Sequence, residues 1–292
     1  MLRFIASRLL QSAMVLLVMS FIIYGLIGLM PGDPIDIMVN SNPGYTAQDV
    51  ARLRAQYGLD QPLLTRYWNW LQAAASLDFG YSRTYSQPVL VIMVPALIQT
   101  GKLVGLSFLV FTALALTLGV AAALSKGSVL DRVINFLAFA GISVPVFFLA
   151  LMLIYLFAVR LGWLPASGMF TVGGDGSLSD SAKYYVLPVL TLTAAFAGRF
   201  TRFTRASMVE VLRMDYIRTA RAKGAGKLRV VFKHALRNAL IPVVTVLALS
   251  FGALLGGALI TETMFAQRGM GKPIFEAIMG NDFNLALMGL LI

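Results

Sequence analysis

Four stretches of this chain run for at least 22 residues without a single Asp, Glu, Lys or Arg: residues 9–30, 103–125, 133–159 and 238–261. A helix needs roughly 20 apolar residues to cross about 30 Å of hydrocarbon, and each run is long enough. A weaker run, 184–198, has 15 residues between Lys183 and Arg199. It can still cross if those two side chains snorkel to the interfaces. A sixth run begins at Phe283 and stops with the sequence at Ile292, as though the last span were cut short. The pattern predicts an all-α integral membrane protein with six transmembrane helices, the sixth truncated.

Composition agrees. Of the 292 residues, 58% are hydrophobic and 13% charged, where a soluble domain carries about 25% charged residues. With no cysteine there is no disulfide framework, thiolate metal site or cysteine nucleophile. The single histidine, His234, excludes a His-rich metal cluster, and its basic surroundings argue against a role as a general base. The first run follows Arg3 and Arg8, as a secretory signal would, but its apolar core is longer than the usual 7–15 residues and LMPGDP is a poor cleavage site. It reads as a retained first helix.

The net charge of +11 is distributed by side. With the N-terminus in the cytoplasm and alternating spans, the inner segments 1–8, 126–132 and 199–237 hold 15 Lys/Arg against 3 Asp/Glu. The remainder is nearly balanced, a strong positive-inside signal. Removing the weak fourth span would put the long basic segment outside and destroy the asymmetry.

The outer segment after the first span opens with PGDP, a turn signal. In DVARLRAQYGLDQPL, Val50, Leu53 and Tyr57 can share a helical face that Gly58 would end. Leu64, Trp68, Leu71 and Ala75 follow at helical spacing, and Tyr67, Trp68 and Trp70 suit a helix at the membrane surface. The segment reads as a helical cap on the outer ends of the spans, compatible with docking of an extracytoplasmic partner. Within the spans, GISVP at 141–145 predicts a kink. Gly252 with Gly256, and Gly101 with Gly105, match the small-xxx-small pattern that allows close helix approach and are candidates for subunit contact. Ser143, Thr191, Thr193, Thr245 and Ser250 are candidates to line a polar path, although single hydroxyls in membrane helices commonly bond their own backbone. Glu262, at the end of the fifth span, is either an interfacial charge or a gating group.

The most unusual segment is DYIRTARAKGAGKLRVVFKHALRNALIP, residues 215–242. Eleven Lys/Arg fall between 199 and 237, and each would cost about 2.5–3.5 kcal/mol at the centre of a membrane helix. Part of this charge anchors the chain to phosphate headgroups; nucleic acid is not an expected partner. GAGK at 224–227 fails as a phosphate loop, since Arg221 and Leu228 stand where Gly and Ser/Thr are needed. Ile217, Ala220 and Ala222, then Leu228, Val231, Phe232, Ala235 and Leu236, give two short amphipathic pieces around a glycine break. Such a knuckle suits docking to a cytosolic protein.

This segment resembles the coupling segment of the B-type permease of bacterial dipeptide/oligopeptide/nickel ABC importers. MLRFIASRLLQ, LMPGDP, SLDFGYS, GISVPVF, LGWLPASG and GALLGGALITETMFAQRGMGK resemble further parts of that permease in the same order. The resemblance implies a type I ABC importer permease fold with a helical periplasmic insertion after the first helix. Its parts would be 1–30 (cytoplasmic N-terminus and first helix), 31–95 (periplasmic) and 96–292 (permease domain, with the coupling segment at about 199–237). It further implies a second permease of similar fold, two ATPase subunits that bind ATP and Mg, an extracytoplasmic solute-binding protein, and the bacterial inner membrane. The chain itself would be non-catalytic and hold no cofactor or metal. Asp215, Arg218, Thr219, Ala220, Gly224, Ala225 and Gly226 are the implied ATPase-coupling residues. The general permease motif has Glu-Ala-Ala, three residues, then Gly; here Arg218-Thr219-Ala220 precede Gly224, so a salt bridge from that Glu is not carried over. The implied activity is ATP-driven import of peptides or related small solutes. The rival reading is an ion-coupled carrier or channel subunit, which would need intramembrane ionisable groups; only Glu262 comes close.

Overall fold

A computed structural model describes residues 2–29, 46–56, 60–174 and 177–292 of the chain. The expected turn at 31–34, the expected helix end at Tyr57 and Gly58, and the side chain of Leu53 lie outside the described residues. The chain divides into two compact units, Met1–Leu97 with Met270–Ile292, and Ile98–Gly269.

In the first unit, α1 (Leu2–Gly28) exposes Leu9, Leu10, Met14 and Leu26 around most of its circumference, as a lipid-facing helix would. After α2 (Ala47–Gln56), α3 (Leu63–Ala75) packs on α1. Tyr67 meets Phe21 edge-on at 5.1 Å, and its hydroxyl pairs with Ser20 at 2.8 Å. The packed face is Tyr67, Trp70 and Leu71, while Leu64 and Trp68 are exposed. This differs from the face expected at 64, 68, 71 and 75 by about one residue. Both stripes are apolar, and the one whose phenol can reach a polar partner is the one that packs.

A short hairpin of β1 (Tyr81–Ser82) and β2 (Gln87–Pro88) precedes α4 (Val89–Leu124). Its turn clasps the link between α10 (Gly271–Met279) and α11 (Phe283–Leu291). Asp282 caps α11 by accepting from the Leu285 N–H, and also accepts from Ser82 Oγ (2.5 Å) and the Thr84 N–H (2.9 Å). Tyr85 donates to Glu276, and burial, with that bond, pushes the phenol up to about 12. Val89, Met93, Leu285, Ala286 and Leu287 form the core beneath.

The second unit contains the rest of α4, then α5 (Val129–Ser143), α6 (Val146–Arg160), α7 (Leu178–Val211), α8 (Asp215–Ala222) and α9 (Lys227–Met264). Ser128 and Ser177 cap α5 and α7 by accepting from the N–H of Asp131 and Asp180. Phe111 of α4 stacks on Phe200 of α7 at 5.1 Å, with Val243, Leu247 and Leu254 of α9 completing that core.

The expected third span, 133–159, is not one helix. α5 and α6 meet at a 105° bend. Pro145 has no N–H and forces the residue before it out of the α region; Val144 is extended at φ −93°, ψ 126°, and a new helix starts after Pro145. GISVP therefore produces a corner where a kink was expected. Each arm is about 22 Å long at 1.5 Å per residue, short of a membrane crossing by itself. Among the described residues, three helices are long and apolar enough to cross, Arg3–Gly28, Val89–Leu124 and Lys227–Met264, and four if the bent pair counts as one. The charge-free 184–198 run sits inside the 34-residue α7, whose later turns carry Arg199, Arg202 and Arg205.

Candidate functional site

The basic segment folds as the expected knuckle. α8 ends in a Schellman motif: the Gly224 N–H bonds the Arg221 carbonyl (2.9 Å) and the Ala225 N–H bonds the Ala220 carbonyl (3.1 Å). That closure needs a left-handed residue after the C-cap, and Gly224 supplies it at φ +79°. Ala220 and Ala225, the small residues flanking the closure, are both half-buried. Gly226 differs. At φ −65°, ψ 157° it is ordinary extended backbone, and its carbonyl accepts the first bond of α9 from Val230 (3.0 Å). Of the two glycines, only Gly224 is required by conformation.

Ile217 fastens the knuckle. It is fully buried among Met208 of α7 and Val230, Val231 and Ala235 of α9. The Tyr216 hydroxyl accepts from Asn238 Nδ2 at 3.1 Å, tying α8 to α9 a second time. From Val230 to Leu236 the α9 backbone is wound as a π-helix, a form frequent at functional sites. It splits the apolar set: Val231 and Ala235 point inward, while Leu228 and Phe232 are 74% and 59% exposed. The remaining expected coupling residues face outward. Asp215 and Arg218 form an exposed ion pair at 3.2 Å, of a kind that adds little stability, and Thr219 Oγ1 donates to the Asp215 carbonyl. The outer surface is thus charged and greasy, mounted on a buried isoleucine peg.

Glu262, expected as an interfacial or gating charge, is buried within the chain. It is 1% exposed, at the end of α9, and accepts from Thr100 Oγ1 of α4. Gly269 leaves room for it; a Cβ there would overlap the carboxylate. The same turn is pinned by Gln267, whose Nε2 donates to the Gly168 carbonyl at 2.7 Å, and by the Gly168 N–H to the Phe265 carbonyl at 2.9 Å. The hydroxyls expected along a path bond their own helices: Ser143 to Phe139, Thr191 to Leu187, Thr245 to Ile241 and Ser250 to Val246. Thr191 is buried, Ser143 and Thr245 exposed, so they do not share one surface. The Thr193 hydroxyl is buried with no hydrogen-bond partner among the described residues.

Comparison with known proteins decides the family. Residues 115–292 match the profile described as binding-protein-dependent transport system inner membrane component, and residues 1–99 match that of its N-terminal region. The chain belongs to this family. It is 38% identical over 293 residues to a protein of Brucella suis biovar 1 (strain 1330) named as a peptide permease, covering 100% of this chain and 92% of the other. It is 40% identical over 283 residues to the glutathione transport system permease protein GsiC of Salmonella choleraesuis (strain SC-B67), covering 97% and 89%. The Escherichia coli K12 protein of that name is 39% identical over the same length. The protein is a multi-pass permease subunit of an ATP-driven importer, and the expected type I permease fold stands.

Two features of the permease were missed in its sequence. The close helix contacts lie at Gly119, Gly141 and Gly198, where an added Cβ would meet Thr204 of α7, the Ala194 carbonyl (2.6 Å) and the Ala138 carbonyl. Gly101, Gly105, Gly252 and Gly256, the candidates for subunit contact, meet no atom of their own chain within 4 Å. The other is the Asp131–Arg205 pair between α5 and α7. Its members are 74 residues apart, and no local pattern joins them.

Proposed function

We propose that this permease imports peptides or related small solutes, and that the knuckle at 215–229 docks in a groove of one of the importer's two ATPase subunits, which carry ATP and Mg and drive it. The observation that carries this reading is the geometry of the knuckle. Asp215, Arg218, Leu228 and Phe232 are presented outward by a segment whose Ile217 is locked into the bundle. A partner that grips the outer surface moves the inner peg, and with it α7 and α9. The N-terminus lies in the cytoplasm, because the basic residues of 1–8, 126–132 and 199–237 then share the inner side. Assembly with a second permease of similar fold and an extracytoplasmic solute-binding protein completes the importer. The chain itself hydrolyses no ATP. Peptide and glutathione cargo are suggested by the names of the relatives from Brucella and Salmonella.

The absence of native cysteine makes the test direct. Gly226→Cys, which the backbone tolerates, is paired with single cysteines in the groove of the candidate ATPase subunit. A disulfide that forms in one nucleotide state and weakens in another is the expected result. No bond in any state, with uptake intact, refutes docking at this knuckle.

A further inference from the structure

Beside the knuckle lies a half-open cleft of about 410 Å³, walled by Leu124 of α4, Leu212 past the end of α7, and Val230 and Val231 of α9, with Arg221 and Lys227 alongside. Its size falls in the roughly 300–1,000 Å³ range of small-molecule sites. Its walls divide by chemistry: branched aliphatic groups line one part, and two cations stand beside the Gly224 turn. Neither cation forms an ion pair with a described residue. No Asp or Glu occurs between Tyr216 and Thr261, and the nearby Asp215 already pairs with Arg218.

We propose that this cleft binds an anionic phospholipid, its phosphate between Arg221 and Lys227 and the upper part of its acyl chains against Leu124, Leu212 and Val230. The observations favour an amphiphile over a free anion. Inorganic phosphate would satisfy the two cations but leave the aliphatic wall in water, whereas a lipid covers both. The depth also fits. Leu124 is the last residue of α4, at the end of its charge-free run, which is the headgroup level of the inner leaflet on the topology proposed above. The choice of leaflet rests on that topology; the ligand chemistry does not. A lipid seated here joins the end of α4 to the turn that closes α8.

The test uses the complete transporter, purified from membranes containing phosphatidylglycerol and phosphatidylethanolamine, with retained lipid counted by native mass spectrometry. The wild type is expected to keep phosphatidylglycerol preferentially. Each cation near an anionic headgroup is worth about five-fold in affinity, so Arg221→Gln with Lys227→Gln should weaken retention by roughly 25-fold. Arg221→Lys with Lys227→Arg should preserve it. Leu124→Trp, which crowds the aliphatic wall and leaves the charges alone, should also lose the lipid. If the double variant does not assemble, Lys227→Gln alone and Leu124→Trp carry the measurement. Unchanged retention in the charge and Leu124→Trp variants overturns the proposal. So does displacement by millimolar inorganic phosphate with no effect of Leu124→Trp, which would mark a free-anion site. Binding that appears only after the ATPase subunits are stripped away overturns it too, because the ATPase would then fill the cleft. Uptake is followed in parallel. A wild type that imports normally yet retains no lipid here refutes this site alone, and one that never imports refutes the functional reading.

Discussion

Arg205 holds Asp131 in a two-pronged grip, Nε to Oδ1 and Nη2 to Oδ2, each at 2.6 Å. The pair welds the start of α5 to α7, the helix whose lower end carries the knuckle. Asp131 also accepts from the Gly127 N–H and from Asn135 Nδ2. Chiefly through Arg205, its carboxyl is held down at about 2. Hydrogen bonds to charged groups contribute about 1.5–3 kcal/mol, so Asp131→Asn should lower stability by that order. Arg205→Lys should not restore it, since an ammonium cannot make two parallel bonds. The carboxyl ionises near 3.9 when unfolded and at about 2 when folded. A depressed value means stability that is complete above about 4 and lost as pH falls towards 2. The thermal midpoint gap between wild type and Asp131→Asn, measured in detergent, should be constant from neutral pH to about 5 and close below that. About half of the gap should remain at pH 3, and a gap undiminished at pH 2 would mean the carboxylate is not the source of the stability.

Asp282 should be as costly to remove from the first unit. It caps α11 and holds two donors of the hairpin turn, Ser82 Oγ and the Thr84 N–H. A lost N-cap costs about 0.5–2 kcal/mol and each stranded donor adds to it, so Asp282→Ala should destabilise by about 2–3 kcal/mol. Limited proteolysis should then cut first between Gly80 and Pro88. Tyr85→Phe removes only the bond to Glu276 and should be milder.

Gly269 and Glu262 form a space-sharing pair. Gly269→Ala places a methyl where the Glu262 carboxylate sits, and such overpacking costs about 1–3 kcal/mol. Glu262→Gln keeps the shape and the bond from Thr100, so it should fold. If Glu262 acts in gating, Glu262→Gln will lower uptake without a matching loss of thermal stability. If both fall together, the residue is a clasp alone.

How far these features could be read in advance depends on the range of the interaction. Solvation is a property of the residue itself, so the charge-free runs marked α1, α4 and α9, and the basic run marked a segment excluded from lipid. Gly224 was legible because a C′ glycine is a local backbone demand. The sharp corner at Val144–Pro145 was only half legible: proline announces a break but not its angle, which is set by what α6 packs against. Asp131–Arg205 and Glu262–Thr100 were invisible, because partners 74 and 162 residues apart leave no periodic trace. The contact glycines inside the chain were hidden for a related reason. Gly119, Gly141 and Gly198 have no second glycine four residues away, yet each is opposed by a carbonyl on a neighbouring helix.

The knuckle offers the sharpest separation of two adjacent glycines. Gly224 sits at φ +79° and its N–H closes on Arg221. Alanine there meets no neighbouring atom within 4 Å, so its whole penalty is the left-handed backbone, about 1–2 kcal/mol. Proline cannot reach positive φ and has no N–H to give, so Gly224→Pro should open the Schellman closure and release Ile217 from its seat. Gly226→Ala, at φ −65° and also in open space, should be silent. In proteoliposomes of the full transporter, the solute imported per ATP hydrolysed should be unchanged for Gly226→Ala, reduced several-fold for Gly224→Ala, and near zero for Gly224→Pro while ATP hydrolysis continues. Normal import by Gly224→Pro would show that the turn does not transmit the stroke. Equal damage at both glycines would show that crowding against a docked partner, and not backbone conformation, governs this position.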